Sequence, residues 1–116
     1  MGLPPAVGEW LTLPDVADRV GLPVTRVRDL VRDGKLIAVR GDADAPLQVP
    51  AVLVGADGPV KHLGAVITLL RDARYDDDEI VAWLFTDDPT LPGTPAAALA
   101  ADRGTEVKRR AQAMGF

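Results

Sequence analysis

The chain has no cysteine and a single histidine, His62. The first absence excludes a disulfide scaffold, thiol catalysis and any zinc site built on thiolates. The second leaves a histidine-rich metal site or a histidine-based triad almost nothing to work with. Aromatic residues make up 4% of the 116 residues, so valine, leucine and alanine must fill the core. No apolar run reaches the roughly 18 residues that a membrane span requires. Met1–Glu9 lacks the basic segment and the long apolar stretch of a secretory signal. These absences lead to the expectation of a cytoplasmic protein with no membrane contact. Hydrophobic residues at 47% and charged residues at 26% are ordinary for a globular domain, and the length supports one modest core.

The net charge is −4, which by itself argues against a polyanionic partner. The distribution reverses that inference. Residues 1–18 are acidic, and so are 41–60 and 61–100. Between them, residues 19–40 carry six cations (Arg19, Arg26, Arg28, Arg32, Lys35 and Arg40) against two carboxylates, Asp29 and Asp33. The tail 101–116 is again basic, through Arg103, Lys108, Arg109 and Arg110. Local asymmetry of sign carries more information than the total.

Met1–Gly8, with two prolines and two glycines, reads as a frayed tail. Thr12 with Asp15 three residues on is a capping box with Asp in place of Glu, and Pro14 suits a first helical turn. Leu13, Val16, Ala17 and Val20 then follow helical spacing. Gly21 stops this helix, and Leu22 and Pro23 complete a tight turn. A second helix, 24–33, gathers Val24, Val27, Leu30 and Val31 on one face, and Gly34 ends it. Two short helices around a glycine turn are a helix-turn-helix candidate. Leu36–Arg40 is rich in strand formers, 41–46 is turn chemistry, and Leu47–Val49 reads as a returning strand, so 36–49 is expected to be a wing. Ala51–Val54 is expected to add a third strand, closed by the turn Gly55–Pro59. The second half reads as helical. One helix is expected over 62–73 and another opens at Asp76–Glu79. A third runs 96–101 behind the Thr94–Pro95 cap, and a last one runs 106–114, capped by Thr105 after a stop at Gly104.

At about 100° per residue, Thr25, Arg28, Asp29 and Arg32 lie opposite the apolar face of the second helix, with Arg26 on its flank. A recognition helix has this composition: arginine pairs bidentately with guanine in the major groove, and threonine meets a phosphate or a thymine methyl. The bland alternative is a solvated charged face. Lys35 and Arg40 flank the first strand of the wing and are placed to hold phosphates. The wing tip carries Asp42 and Asp44, so it is not expected to enter a groove deeply. The run Asp76–Glu79 has no calcium-loop spacing and suits helix N-terminal stabilisation. His62 lacks a nucleophile or carboxylate at a motif spacing and reads as a surface or capping residue. Trp83 and Phe85 read as core. The glycines do not form a phosphate-binding loop. No cofactor, metal or catalytic group is expected.

Leu11–Ala17, Gly21–Val24 and Asp33–Arg40 together resemble the excisionase and MerR-type winged helix-turn-helix. Ala82–Pro89 and Arg109–Met114 are similar to a small actinobacterial DNA-binding protein family whose mycobacterial member is a substrate of a membrane Ser/Thr kinase. The likeness covers roughly residues 9–116. It implies a winged helix-turn-helix, a helical C-terminal region and double-stranded DNA as partner. One departure stands out: the mycobacterial relative has a longer threonine-bearing tail, whereas no Ser or Thr precedes Glu9 here, so phosphorylation of such a tail does not carry over. Thr12 remains as a phosphorylation candidate, but its role as an N-cap shields it from a kinase. The second half also looks similar to the C-terminal domain of Xre/ParS/MbcA-type antitoxins, through its Trp-Leu near a helix end, the stretch Pro89–Pro95 and a closing helix after Gly104. In that family the region dimerises or holds a toxin.

The combined expectation is mainly α with a small β-hairpin wing. A winged helix-turn-helix would occupy 9–58 and a helical region 59–116 would pack on it. The function expected is DNA binding, as a transcriptional regulator or nucleoid-associated factor. Helix 24–33 would lie in the major groove, with Thr25, Arg26, Arg28, Arg32, Lys35 and Arg40 as the contact set. The rival is a non-enzymatic interaction module, antitoxin-like or kinase-regulated. It would act through the C-terminal helices on a Ser/Thr kinase or another protein, whereas a homodimer is what tight, specific DNA binding by so small a chain would need.

Overall fold

The protein is described here by a computed structural model covering residues 5–115. A 3₁₀ turn, Pro5–Val7, leads into strand β1 (Trp10–Thr12), helix α1 (Leu13–Val20) and helix α2 (Val24–Arg32). Strand β2 (Gln48–Pro50) and a second 3₁₀ turn, Ala51–Leu53, follow. Four helices complete the chain: α3 (Leu63–Asp72), α4 (Asp77–Leu84), α5 (Pro95–Ala100) and α6 (Gly104–Ala113). The architecture is mainly helical with a small antiparallel sheet.

Local chemistry places the first two helices. The Thr12 hydroxyl accepts from the Asp15 amide at 3.2 Å, and the Asp15 carboxylate accepts from the Thr12 amide at 3.1 Å. Both bonds of the capping box therefore form, and they satisfy donors that a helix start leaves orphaned. Gly21 closes α1, its N–H donating to the Ala17 carbonyl at 2.9 Å. Pro23 stands at the head of α2 and offers no side-chain cap. At the other end the Lys35 amide reaches back to the Leu30 carbonyl at 2.9 Å. Gly34 sits at φ 72°, a conformation that side-chain-bearing residues pay to adopt. A β-carbon there would also stand 3.0 Å from Nη1 of Arg71. Two constraints thus converge on one glycine.

One hydrophobic core joins both halves. Val16 and Val27 from the helix pair, Leu36 and Ile37 from the segment after it, and Val49 and Leu53 are buried together with Leu63, Ile67, Leu70, Ile80, Leu84 and Leu91. Burying each such aliphatic side chain contributes roughly 1.5–3 kcal/mol. α3 lies along α6, and α5 packs on the 3₁₀ turn 51–53. Gly104 permits the first of these contacts, because a β-carbon there would stand 2.6 Å from Cδ2 of His62. His62 itself occupies the left-handed region at φ 72°, at the head of α3, and makes no side-chain cap bond. Trp83 and Phe85 are half-buried against the core.

Several expectations are corrected. Part of the supposed frayed tail, residues 5–7, forms a 3₁₀ turn, and Val7 is buried in the core; residues 1–4 lie outside the described residues. The wing hairpin is smaller than the strand formers implied. Across it, among the described residues, Val39 and Gln48 form a single bridge, with N–H···O bonds of 2.9 and 2.8 Å. The three-residue ladder instead joins β2 to β1, in the register Trp10–Pro50, Leu11–Val49 and Thr12–Gln48. Leu36 to Val39 are all buried, so these β-formers serve packing rather than a ladder. In place of the third strand, Ala51–Leu53 forms a 3₁₀ turn, closed by the bond from the Val54 amide to the Ala51 carbonyl. α6 begins at Gly104 behind Arg103, so Thr105 is not its cap and Gly104 does not stop the preceding helix. That stop falls at Asp102, φ 62°, with the Arg103 amide donating to the Ala98 carbonyl.

Candidate nucleic-acid interface

α2 is held by a narrow apolar stripe. Val27 alone among its residues is fully buried, while Val24, Leu30 and Val31 are half-covered. Thr25, Arg26, Arg28 and Arg32 are all exposed. Nearly one whole side of the helix therefore stands free, as reading a groove requires.

The six predicted contact residues fall into distinct settings. Arg28 and Arg40 come together: both line a groove of about 240 Å³ whose other walls are Thr12, Leu13, Pro14, Pro46 and Leu47. This groove joins α2 to the wing. Neither guanidinium has a carboxylate within ion-pair distance among the described residues. Arg40 donates to the Ala45 carbonyl across the wing loop, which fixes its stem and leaves further donors of the guanidinium available. Arg26 sits on the flank in a separate depression with Asp29 and Asp33. Thr25 is on the open side of α2.

Arg32 differs from Arg28. Its guanidinium is held by Asp33 at 3.2 Å and by Asp29 at 3.0 Å. The hydrogen bond it donates to Asp33 and the charge of Asp29 raise its pKa above the ordinary arginine value, so it stays charged but locally neutralised. The sequence groups Arg28 and Arg32 as equals; the structure pairs Arg32 with two carboxylates and Arg28 with none among the described residues. Lys35 is set apart again. It follows the end of α2 and lines a groove with α3 and α6.

Other charged residues are committed to the fold. Arg19, counted in the basic segment, donates to the carbonyls of Ala51 and Val54 at 3.2 and 3.4 Å. Arg103 donates to the Leu91 carbonyl, and Arg110 to Thr90 and Glu106. Half of the basic tail is thereby used to pin the 88–91 loop. In the wing, the Asp42 carboxylate accepts from the amides of Asp44 and Ala45, both at 3.0 Å, so its charge is partly satisfied within the turn. The run 76–79 caps α4: Asp76 accepts from the Glu79 amide at 2.8 Å, and Asp77 pairs with Arg71 at 2.9 Å. Among the described residues no group of three or more His, Asp or Glu side chains converges as a metal site would require. No described helix is long and apolar enough to cross a membrane.

Comparison with known proteins shows the family. Residues 2–54 match the family described as DNA-binding protein Rv2175c, wHTH domain. Residues 60–115 match the Rv2175c C-terminal domain of unknown function. This chain belongs to the Rv2175c family. The DNA-binding protein Rv2175c of Mycobacterium tuberculosis (strain ATCC 25618 / H37Rv) is 40% identical over 117 residues, which is 90% of this chain and 79% of that protein. The NMR structure of Rv2175c superposes with a TM-score of 0.80 at 37% identity, covering 93% of this chain and 82% of that one. The winged helix-turn-helix of the Rv2175c family is thus carried by the half of the chain that holds α1, α2 and the wing.

Proposed function

We propose that this protein is a non-enzymatic, duplex-DNA-binding member of the Rv2175c family. α2 would sit in the major groove and the wing alongside it. The observation that carries this reading is the pairing of Arg28, from the open side of α2, with Arg40, from the wing, on one groove free of carboxylates. Two guanidinium groups without a carboxylate partner, on a helix-wing groove, suit a base edge and a flanking phosphate. The relative named a DNA-binding protein supports the same class of partner. Thr25 and Arg26 extend the contact along α2, Arg32 joins it at reduced strength, and Lys35 grips the backbone beyond the helix end. The winged unit would span 9–58, with 59–116 packed on it. A regulatory or nucleoid-associated role, in a cytoplasmic setting, is the function such binding serves.

The test is the double variant Arg28→Ala with Arg32→Ala, titrated against a fluorescently labelled duplex. Loss of most binding with an unchanged helical circular dichroism spectrum is expected. A folded double variant that binds as the parent does would refute the assignment.

A further inference from the structure

The groove that takes Lys35 is built by both halves of the chain. It measures about 410 Å³ and is lined by Lys35, Gly64, Ala65, Thr68, Leu69, Lys108 and Gln112. Gly64 and Thr68 are one turn apart on α3, and Lys108 and Gln112 one turn apart on α6, so each helix offers one continuous face. A β-carbon at Gly64 would lie 3.4 Å from Cδ of Lys35; the lysine stem rests over that glycine. Lys35 and Lys108 are both exposed, and neither has a carboxylate in ion-pair range among the described residues. No carboxylate lines the groove, although the chain as a whole carries 17 acidic against 13 basic residues. Thr68 and Gln112 add neutral hydrogen-bond donors.

We infer that this groove holds the phosphodiester backbone of the duplex that α2 reads, and that Lys108 of the C-terminal half is a DNA contact. The inference rests on the proposed function and extends it to a region matched only by a domain of unknown function. Charge complementarity selects the occupant: two lysines, two neutral hydrogen-bonding side chains and no carboxylate on one groove suit a phosphate chain. Position supports it as well. Lys35 stands three residues beyond α2, its stem rests over Gly64 of α3, and α3 lies along α6, so the groove opens beside the end of the helix that would enter the DNA. The C-terminal half is then part of the DNA footprint rather than a separate docking module.

The experiment uses the full chain and a labelled duplex of about 30 base pairs, with anisotropy read across a salt series. Lys108→Gln is expected to lower the slope of log affinity against log salt by about 0.9, and Lys35→Gln with Lys108→Gln by about 1.8. Between about 50 and about 200 mM salt, the fall in affinity then shrinks by about 3.5-fold for one lysine and about 12-fold for both. Lys108→Arg is expected to keep the parental slope. Arg109→Gln serves as control, because Arg109 does not line the groove and its loss is expected to leave the slope near the parental value. A parental slope in Lys108→Gln, alongside lost binding in Arg28→Ala, would overturn the inference and leave the reading beneath it standing. Equal slope changes in Lys108→Gln and Arg109→Gln would overturn it in favour of diffuse charge. A parent chain that does not bind the duplex at all would overturn the underlying reading itself.

Discussion

Replacing Gly34 by alanine tests whether the end of α2 is held as described. The residue occupies φ 72°, where a side chain costs about 1–2 kcal/mol. The new methyl would also press on Nη1 of Arg71 at 3.0 Å. If Arg71 yields by loosening its 2.9 Å pair with Asp77, whose side chains are 36% and 48% exposed, the added cost is at most about 1 kcal/mol. The expected total is about 2 kcal/mol. For a domain of this size, that lowers Tm by about 8 °C. Thermal denaturation followed by circular dichroism reads it directly. The Arg71→Ala background separates the two causes. There the contact is gone, so Gly34→Ala should cost only its backbone part, and the two substitutions should be non-additive. An unchanged Tm for Gly34→Ala would refute the conformational argument. Strict additivity with Arg71→Ala would refute the close-approach argument alone.

Other predictions concern the cap, the interface and one carboxylate. Thr12→Ala removes the capping box of α1 and should cost about 1 kcal/mol, with Thr12→Ser recovering most of it; equal stability of Thr12→Ala and the parent would count against the cap. Arg28→Ala should weaken duplex binding by about 5- to 150-fold. Arg32→Ala should do less, because its charge is shared with Asp29 and Asp33, and Asp29→Asn should tighten binding; a larger loss at Arg32 than at Arg28 would reverse the ranking. The Asp88 carboxyl is held below its ordinary value of 3.8, first by the Thr90 hydroxyl, then by the Thr90 amide and the Arg110 charge. A depressed carboxylate pKa stabilises the fold fully above the ordinary value and less as pH falls through the lower folded one. The 88–91 loop should therefore loosen only below about pH 4. An NMR titration of the Thr90 amide with its midpoint at or above the ordinary value would contradict this.

Much of the helical frame was legible because its determinants are local. Thr12 with Asp15, Asp76 with Glu79 and Thr94 with Pro95 announce helix starts within three residues, and Gly21 and Gly34 announce ends. The strands were harder. β1 is three residues long, too short to show alternation, and its partner lies 36 to 40 residues away. Leu36–Val39 carries strand-forming residues, yet their burial on every side reflects core packing, which composition cannot separate from a ladder. Ala51–Leu53 follows Pro50, and the Ala51 amide is taken by the Glu9 carbonyl at 3.0 Å, a long-range bond no local pattern reveals. The start of α6 was misplaced because it depends on Gly104 meeting His62, 42 positions earlier.

At the site, helical spacing identified which residues of α2 face outward. The Asp29 and Asp33 partners of Arg32 were also within local reach, at three and one positions. The meeting of Arg28 with Arg40, and of Lys35 with Lys108, required the tertiary fold. Arg19, Arg103 and Arg110 entered the charge count as free cations, but the fold spends them on backbone carbonyls.

The most direct measurement is fluorescence anisotropy of the intact chain on a mixed-sequence duplex of about 30 base pairs, at about 50 and about 200 mM salt. With four to six phosphate contacts, affinity should fall by about 10²- to 10³-fold between the two. Micromolar or tighter binding that collapses in this way is the predicted result. Absence of binding at the lower salt, or binding indifferent to salt, would contradict a basic helix and wing that grip DNA.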